Sequence, residues 1–106
     1  MIELVVETKR NYLLAVLELF KQKIEESVIE ENVIILSIES PVMTLLETFH
    51  IVQYEITDKL IYLDSNLTLN IILDEIEIFT YYNGEYEDDA YFQIIYKEMD
   101  IKLYFL

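Results

Sequence analysis

Residues 51–63 run Ile-Val-Gln-Tyr-Glu-Ile-Thr-Asp-Lys-Leu-Ile-Tyr-Leu, and here the periodicity of the chain changes to two. Val52, Tyr54 and Ile56 alternate with Gln53 and Glu55, the spacing of a half-buried strand. A turn near Thr57-Asp58-Lys59 leads into Leu60-Ile61-Tyr62-Leu63, a second strand. Ser65-Asn66 marks another turn, Leu67 to Leu73 another run, and Asp74-Glu75 breaks it before Ile76 to Tyr82. Asn83-Gly84 contains the only glycine and is the strongest hairpin-turn signal in the chain. Phe92, Ile94 and Tyr96 alternate again. Asp89 could instead cap a helix carrying Tyr91, Ile94, Ile95 and Met99, but the aromatic and β-branched content favours a strand. Ile101 to Leu106 is expected to be a closing strand.

Upstream of this region the periods differ. Residues 2–6 are apolar and partly β-branched, which suits a short buried strand. Thr8 or Asn11 then caps a helix through about Ser27, in which Leu13, Val16, Leu17, Phe20 and Ile24 form one apolar stripe. Val33 to Ile38 is a dense β-branched run expected as a central strand. Ser40-Pro41 offers an N-cap and first turn, and Val42, Leu45, Leu46 and Phe49 recur at helical spacing, predicting a short second helix. The expected fold is α+β: a mostly antiparallel β-sheet packed on one face by a long N-terminal helix, plus one short helix. With one glycine, one proline and 106 residues, the chain is expected to be a single domain, residues 1–106.

Composition narrows the function classes. The apolar fraction is 54%, so the chain has the material for a core and disorder is not expected. Twenty-one acids against seven bases give a formal charge of −14, which opposes direct binding to nucleic acid or to an anionic membrane and favours a basic partner. The absence of cysteine excludes a disulfide framework, and the N-terminal residues lack the pattern of a secretory signal, so a cytoplasmic location is expected. A mean hydropathy of +0.26 in so short a chain suggests apolar surface left over after folding, so a homodimer is expected.

Catalytic signatures fail on counting. A single glycine is too few for a P-loop, a dinucleotide fingerprint or a nucleophile elbow. One histidine and no cysteine leave no conventional zinc site, and His50 is read as a helix-end residue satisfied by carbonyls. Asp74, Glu75 and Glu77, or Glu85, Glu87, Asp88 and Asp89, offer oxygen ligands for a hard cation but no EF-hand spacing. No cofactor, metal or enzymatic activity is expected.

The arrangement of charge is the informative feature. Between residues 24 and 96 sixteen acids face one base, Lys59, and apolar residues interleave them throughout, as on a folded surface. Eight of the nine tyrosines lie from residue 54 onward, and Tyr81, Tyr82, Tyr86 and Tyr91 flank the acidic segment. Acids two apart on a strand, Glu75 with Glu77 and Glu85 with Glu87, are expected to share a face about 6.6–6.8 Å apart. Such a face can occupy a groove evolved for phosphates, with tyrosine supplying amphipathic contact area. The bland alternative is that AT-rich coding raises tyrosine, isoleucine, lysine, glutamate and asparagine together and that the acidic surface serves only solubility; the scarcity of lysine in the middle of the chain argues against the coding account.

In profile the chain is similar to small phage or mobile-element inhibitors, including anti-restriction and anti-CRISPR proteins that mimic nucleic acid, and equally to immunity proteins that block toxic nucleases. The likeness is one of composition and covers the whole chain. The expected function is therefore a small stoichiometric inhibitor that binds a basic nucleic-acid-binding protein or nuclease. Glu75, Glu77, Glu85, Glu87, Asp88 and Asp89 would supply charge, and Tyr81, Tyr82 and Tyr86 would supply contact area. The second expectation is a structural or assembly protein that forms a homo-oligomer through its sheet.

Overall fold

A computed structural model describes residues 2–83 and 90–105, with side chains described from residue 11 onward. Among these the chain is α+β. One helix, α1 (Ile2–Glu30), precedes β1 (Ile34–Glu39), β2 (Thr44–Phe49), β3 (Gln53–Ile56), β4 (Leu60–Asp64) and β5 (Thr68–Ile72). A 3-10 turn (Leu73–Glu75) then leads into β6 (Ile76–Tyr82), β7 (Tyr91–Tyr96) and β8 (Met99–Phe105). The strands form two antiparallel sheets rather than the one expected: a five-stranded sheet in the order β2-β1-β8-β7-β6 and a three-stranded sheet in the order β3-β4-β5.

Residues 2–6, expected as a strand, are the first turns of α1, and Thr8 and Asn11 lie inside the helix instead of capping it. A lone N-terminal strand must find a sheet edge, whereas extending an existing helix adds a hydrogen bond per residue without a new nucleus. The apolar stripe is where its spacing put it. Val16, Leu17, Phe20 and Ile24 are buried, and Leu13 packs partly buried against the same cluster. The helix ends three residues beyond Ser27 in a Schellman motif. Asn32 N–H donates to Ser27 O at 2.9 Å and Glu31 N–H to Val28 O at 3.4 Å, with Glu31 at φ 57° in the place glycine usually takes.

The short second helix does not form; residues 44–49 are strand β2. Only Leu45 and Phe49 of the apolar set fit both a helical stripe and the inner face of a strand. The strand forms against the local pattern because β1 takes it as an antiparallel partner, with Ile34 opposite Phe49 and Glu39 opposite Thr44. Leu45 and Glu47 are half-buried and Phe49 is buried, while Leu46 is left 70% exposed. Ser40 still makes the capping contacts foreseen for it, since its Oγ accepts from Met43 N–H at 3.2 Å. The turn it stabilises closes a β-hairpin, with Ser40 N–H donating to Met43 O at 2.9 Å.

The hairpin of β3 and β4 falls where the turn residues Thr57-Asp58-Lys59 placed it. Thr57 Oγ1 accepts from Lys59 N–H at 3.1 Å and Leu60 N–H at 3.2 Å, and Ile56 pairs with Ile61. β6 spans the Ile76–Tyr82 run, and the alternating reading of residues 91–96 is the one that forms. β7 turns into β8 through Lys97-Glu98, with Tyr96 opposite Met99 and positive φ angles of 47° and 65°. Those angles are the signature of a type I′ turn, here without the Asn-Gly that usually supplies it.

One buried cluster joins residues of α1 and of both sheets. Phe20 has no exposed surface, and its ring meets Phe92, Phe79 and Phe105 edge-on at 5.0, 5.6 and 6.4 Å.

Candidate functional site: the tyrosine ladder and its acidic flank

Residues directly opposite in antiparallel strands share a face, so the register reads off what the solvent face of the large sheet presents. Tyr82 pairs with Tyr91, Tyr91 with Tyr104, and Tyr104 with Ile35, which makes a continuous row across β6, β7, β8 and β1. The Tyr82 and Tyr91 rings stack at 4.9 Å with 24° between planes, and Tyr91 and Tyr104 lie tilted at 5.0 Å. Tyr91 thus has a ring neighbour on each side, while Tyr82 and Tyr104 each meet one ring of the ladder.

The next row holds Gln93 and Lys102, opposite one another. Lys102 Nζ lies 5.9 Å from the Tyr91 ring centroid and 4.0 Å from Asp100, which also accepts from Gln93 Nε2 at 3.0 Å. The middle of the face is therefore locally neutralised. Its acidic side is the end where Tyr82 and Tyr91 lead into the connection 83–90. Tyr82 pairs with Tyr91, and Gly84 of the expected Asn83-Gly84 turn lies outside the described residues. Glu85, Tyr86, Glu87, Asp88 and Asp89 belong to this connection and lie outside the described residues.

The other expected site residues are placed differently from one another. Glu77 and Tyr82 are exposed. Tyr81 is half-buried and packs on the core, its ring 4.7 Å from that of Phe92. Glu75 sits in the 3-10 turn and Glu77 falls at the register shift between Ile76 and Ile78, so the pair does not share a strand face as expected. The extra residue of a bulge breaks the two-residue alternation on which that expectation relied.

Glu75 is already engaged within the fold. Its Oε2 accepts from Lys97 Nζ at 2.9 Å and from the Tyr96 hydroxyl at 3.1 Å, and the same hydroxyl accepts from Ile72 N–H at 3.4 Å. The Lys97 hydrogen bond, and then that of Tyr96, hold the Glu75 carboxyl below its ordinary value of 4.5, and Glu75 in turn raises Lys97 above 10.5. The cluster ties the left-handed Lys97-Glu98 turn to the segment that joins the two sheets. Among the described residues, only Glu75 and Asp100 have a carboxylate within 4.0 Å of a basic nitrogen. Among the other described acids, Glu18, Glu26, Glu39, Glu55, Asp58, Asp74 and Glu77 are exposed, whereas Glu25, Glu47 and Asp64 are half-buried.

His50 is not at a helix end. It follows β2, is exposed, and its backbone N–H donates to Ser65 Oγ at 3.2 Å. Among the described residues no group of three or more His, Cys, Asp or Glu side chains gathers as a metal site. No described helix is long and apolar enough to cross a membrane.

Tyr104 is the ladder member that sequence reasoning missed. Its place depends on the Lys97-Glu98 hairpin, which carries no glycine or asparagine to announce it. No family model matches the chain, and neither a curated protein nor a solved structure matches it.

Proposed function

We propose that the protein is a stoichiometric, non-enzymatic inhibitor that occupies the basic nucleic-acid groove of a partner by imitating a phosphate track. The observation that carries this reading is the ladder Tyr82–Tyr91–Tyr104, which crosses the solvent face of the large sheet and starts where the acidic connection is attached. Glu85, Glu87, Asp88 and Asp89 supply charge there, joined by Glu77, and Tyr82 and Tyr86 supply contact area beside them. Glu75 and Tyr81 contribute from within the fold, as an ion-paired support and as a packed base. Charge of this density draws a basic partner in at a rate that falls with salt, while the tyrosines slow its departure.

The partner class is a basic nucleic-acid-binding protein or nuclease, as for anti-CRISPR, anti-restriction and nuclease-immunity proteins, and the site of action is the cytoplasm. We also infer that the chain is one domain in which α1 covers one face of the five-stranded sheet; the contacts of Phe20 with Phe79, Phe92 and Phe105 support this. Assembly as a homodimer through the sheet is the second reading. Exposed Leu46 on the edge strand β2 favours it, and the half-buried Glu47 beside it opposes it.

Capture from a lysate of the source organism at low and at high salt tests the first reading. The expected result is a basic nucleic-acid enzyme that is retained at low salt and released by high salt, and that then binds DNA or RNA again. Recovery of nothing but further copies of the chain would replace it with the second reading.

A further inference from the structure

The free edge of β5 forms the wall of a groove. A cavity of about 330 Å³ opens between the two sheets, with residues 67–71 on one side and Ile38, Met43, Leu45 and Ile101 among those on the other. Successive side chains of a strand point to opposite faces, so a wall built from consecutive residues is the strand's edge and not one of its faces. The pairing with β4 identifies the backbone groups on that edge. Leu73 N–H donates to Lys59 O at 3.0 Å, and antiparallel pairs alternate between hydrogen-bonded and non-hydrogen-bonded. Leu69 and Ile71 therefore bond to β4, while Thr68, Asn70 and Ile72 direct N–H and C=O away from it. Ile72 verifies the phase, because its N–H reaches the Tyr96 hydroxyl at 3.4 Å. Tyr96 thus closes one end of the edge and leaves the donors of Thr68 and Asn70 facing the groove.

The composition of this edge sets it apart. The outer strands β2, β3 and β6 carry Glu47, Glu55 and Glu77, the last at a bulge, all devices that discourage strand addition. β5, Thr-Leu-Asn-Ile-Ile, has no charge, no proline and no irregularity in its pairing. Carboxylates stand at its two ends instead. Asp64 accepts from Thr68 Oγ1 at 2.9 Å at one end, and Asp74 follows Ile72 at the other, next to Glu75, which Lys97 already neutralises. A strand with apolar side chains toward Ile38, Leu45 and Ile101 and a basic residue at each end matches both the floor and the charge. A second copy would bring another −14 to the same place.

We propose that this groove is a peptide-docking site, in which an extended, lysine-flanked segment of a partner protein adds to β5 as a further strand of the small sheet. Each outward residue can exchange a pair of N–H···O bonds with the residue opposite, and the alternate side chains of the segment enter the apolar cavity. The site shares no residue with the tyrosine ladder and does not depend on the inhibitor reading.

The probe is the dye-labelled synthetic peptide Lys-Val-Thr-Val-Thr-Val-Lys with blocked ends, titrated with the full chain by fluorescence anisotropy and followed by amide hydrogen exchange. Saturable binding that slows exchange at Thr68 and Asn70 is expected. Asn70→Pro deletes one outward donor without touching the β4 ladder, so it should weaken binding about tenfold, while Asn70→Ala should not. Met43→Asp, at an exposed groove residue, should weaken binding independently, and circular dichroism checks that each variant is folded. Absence of saturable binding at millimolar peptide would overturn the proposal, as would binding indifferent to both Asn70→Pro and Met43→Asp. Concentration-dependent protection of Thr68 and Asn70 without peptide would also overturn it, since the occupant would then be a second copy.

Discussion

Truncating Phe20 to alanine is the most demanding test of the core. The side chain has no exposed surface and meets Phe92, Phe79 and Phe105 edge-on. An aromatic side chain of this kind buries about 150–250 Å², worth about 4–6 kcal/mol at 25 cal/mol per Å². The extended-chain reference inflates that figure, so about 3–5 kcal/mol is expected, in line with Phe→Ala changes in other cores. Against a total stability of about 5–15 kcal/mol, the variant should be folded but marginal. Urea denaturation followed by circular dichroism reads this directly: with a slope of about 1.5 kcal/mol per molar, the midpoint should fall by about 2–3 M. Ile29→Ala, on the same helix but 81% exposed, is the control and should change stability by less than about 0.5 kcal/mol. If Phe20→Ala costs under about 1 kcal/mol, or no more than Ile29→Ala, then the helix does not present this stripe to the core and the packing described here is wrong.

Two further perturbations probe the segment that joins the sheets. Glu75 has a folded pKa below its ordinary 4.5, so its contribution is complete above that value and is lost as pH falls through the lowered one. Glu75→Gln should therefore unfold more easily than the parent at pH 7, and the two melting curves should converge as pH falls through the lowered pKa; a constant gap would show that the Lys97 and Tyr96 contacts carry no ionic contribution. Lys97 has the opposite sense, with its contribution present below 10.5 and lost as pH rises through its raised value. Glu98→Gly relieves a left-handed residue at φ 65° and should raise stability by about 0.5–1 kcal/mol in urea titrations, whereas a loss would mean that the turn does not adopt the type I′ form.

The sequence carried the parts of the fold that rest on local chemistry. The stripe from Leu13 to Ile24 extends over several turns, so its helical period is unambiguous, and the turn residues Thr57 and Ser40 make the bonds their types favour. Two short runs mislead for the same reason. Residues 2–6 and 42–49 are too brief for periodicity to separate helix from strand, and in each the outcome depends on what lies beside the chain. The division into two sheets depends on pairings such as Ile34 with Phe105, which are remote in sequence and leave no local trace. The same holds for the candidate site. Tyr82 and Tyr91 flank the acidic segment in sequence, but Tyr104 joins them only through the register of β7 with β8. The burial of Tyr81 and the engagement of Glu75 by Lys97 likewise depend on neighbours that no linear pattern names.

The central claim is that the acidic end of the ladder stands in for nucleic acid, and a competition assay tests it most directly. A basic nuclease or restriction complex is loaded with fluorescent DNA and titrated at low salt with the wild-type chain and with a Glu85→Lys, Glu87→Lys, Asp89→Lys variant that is confirmed to be folded. The account predicts that the wild type displaces the DNA stoichiometrically without binding DNA itself, that displacement weakens steeply as salt rises, and that the charge-reversed variant fails. Equal inhibition by wild type and variant at low salt would contradict it, and would reduce the acidic surface to a device for solubility.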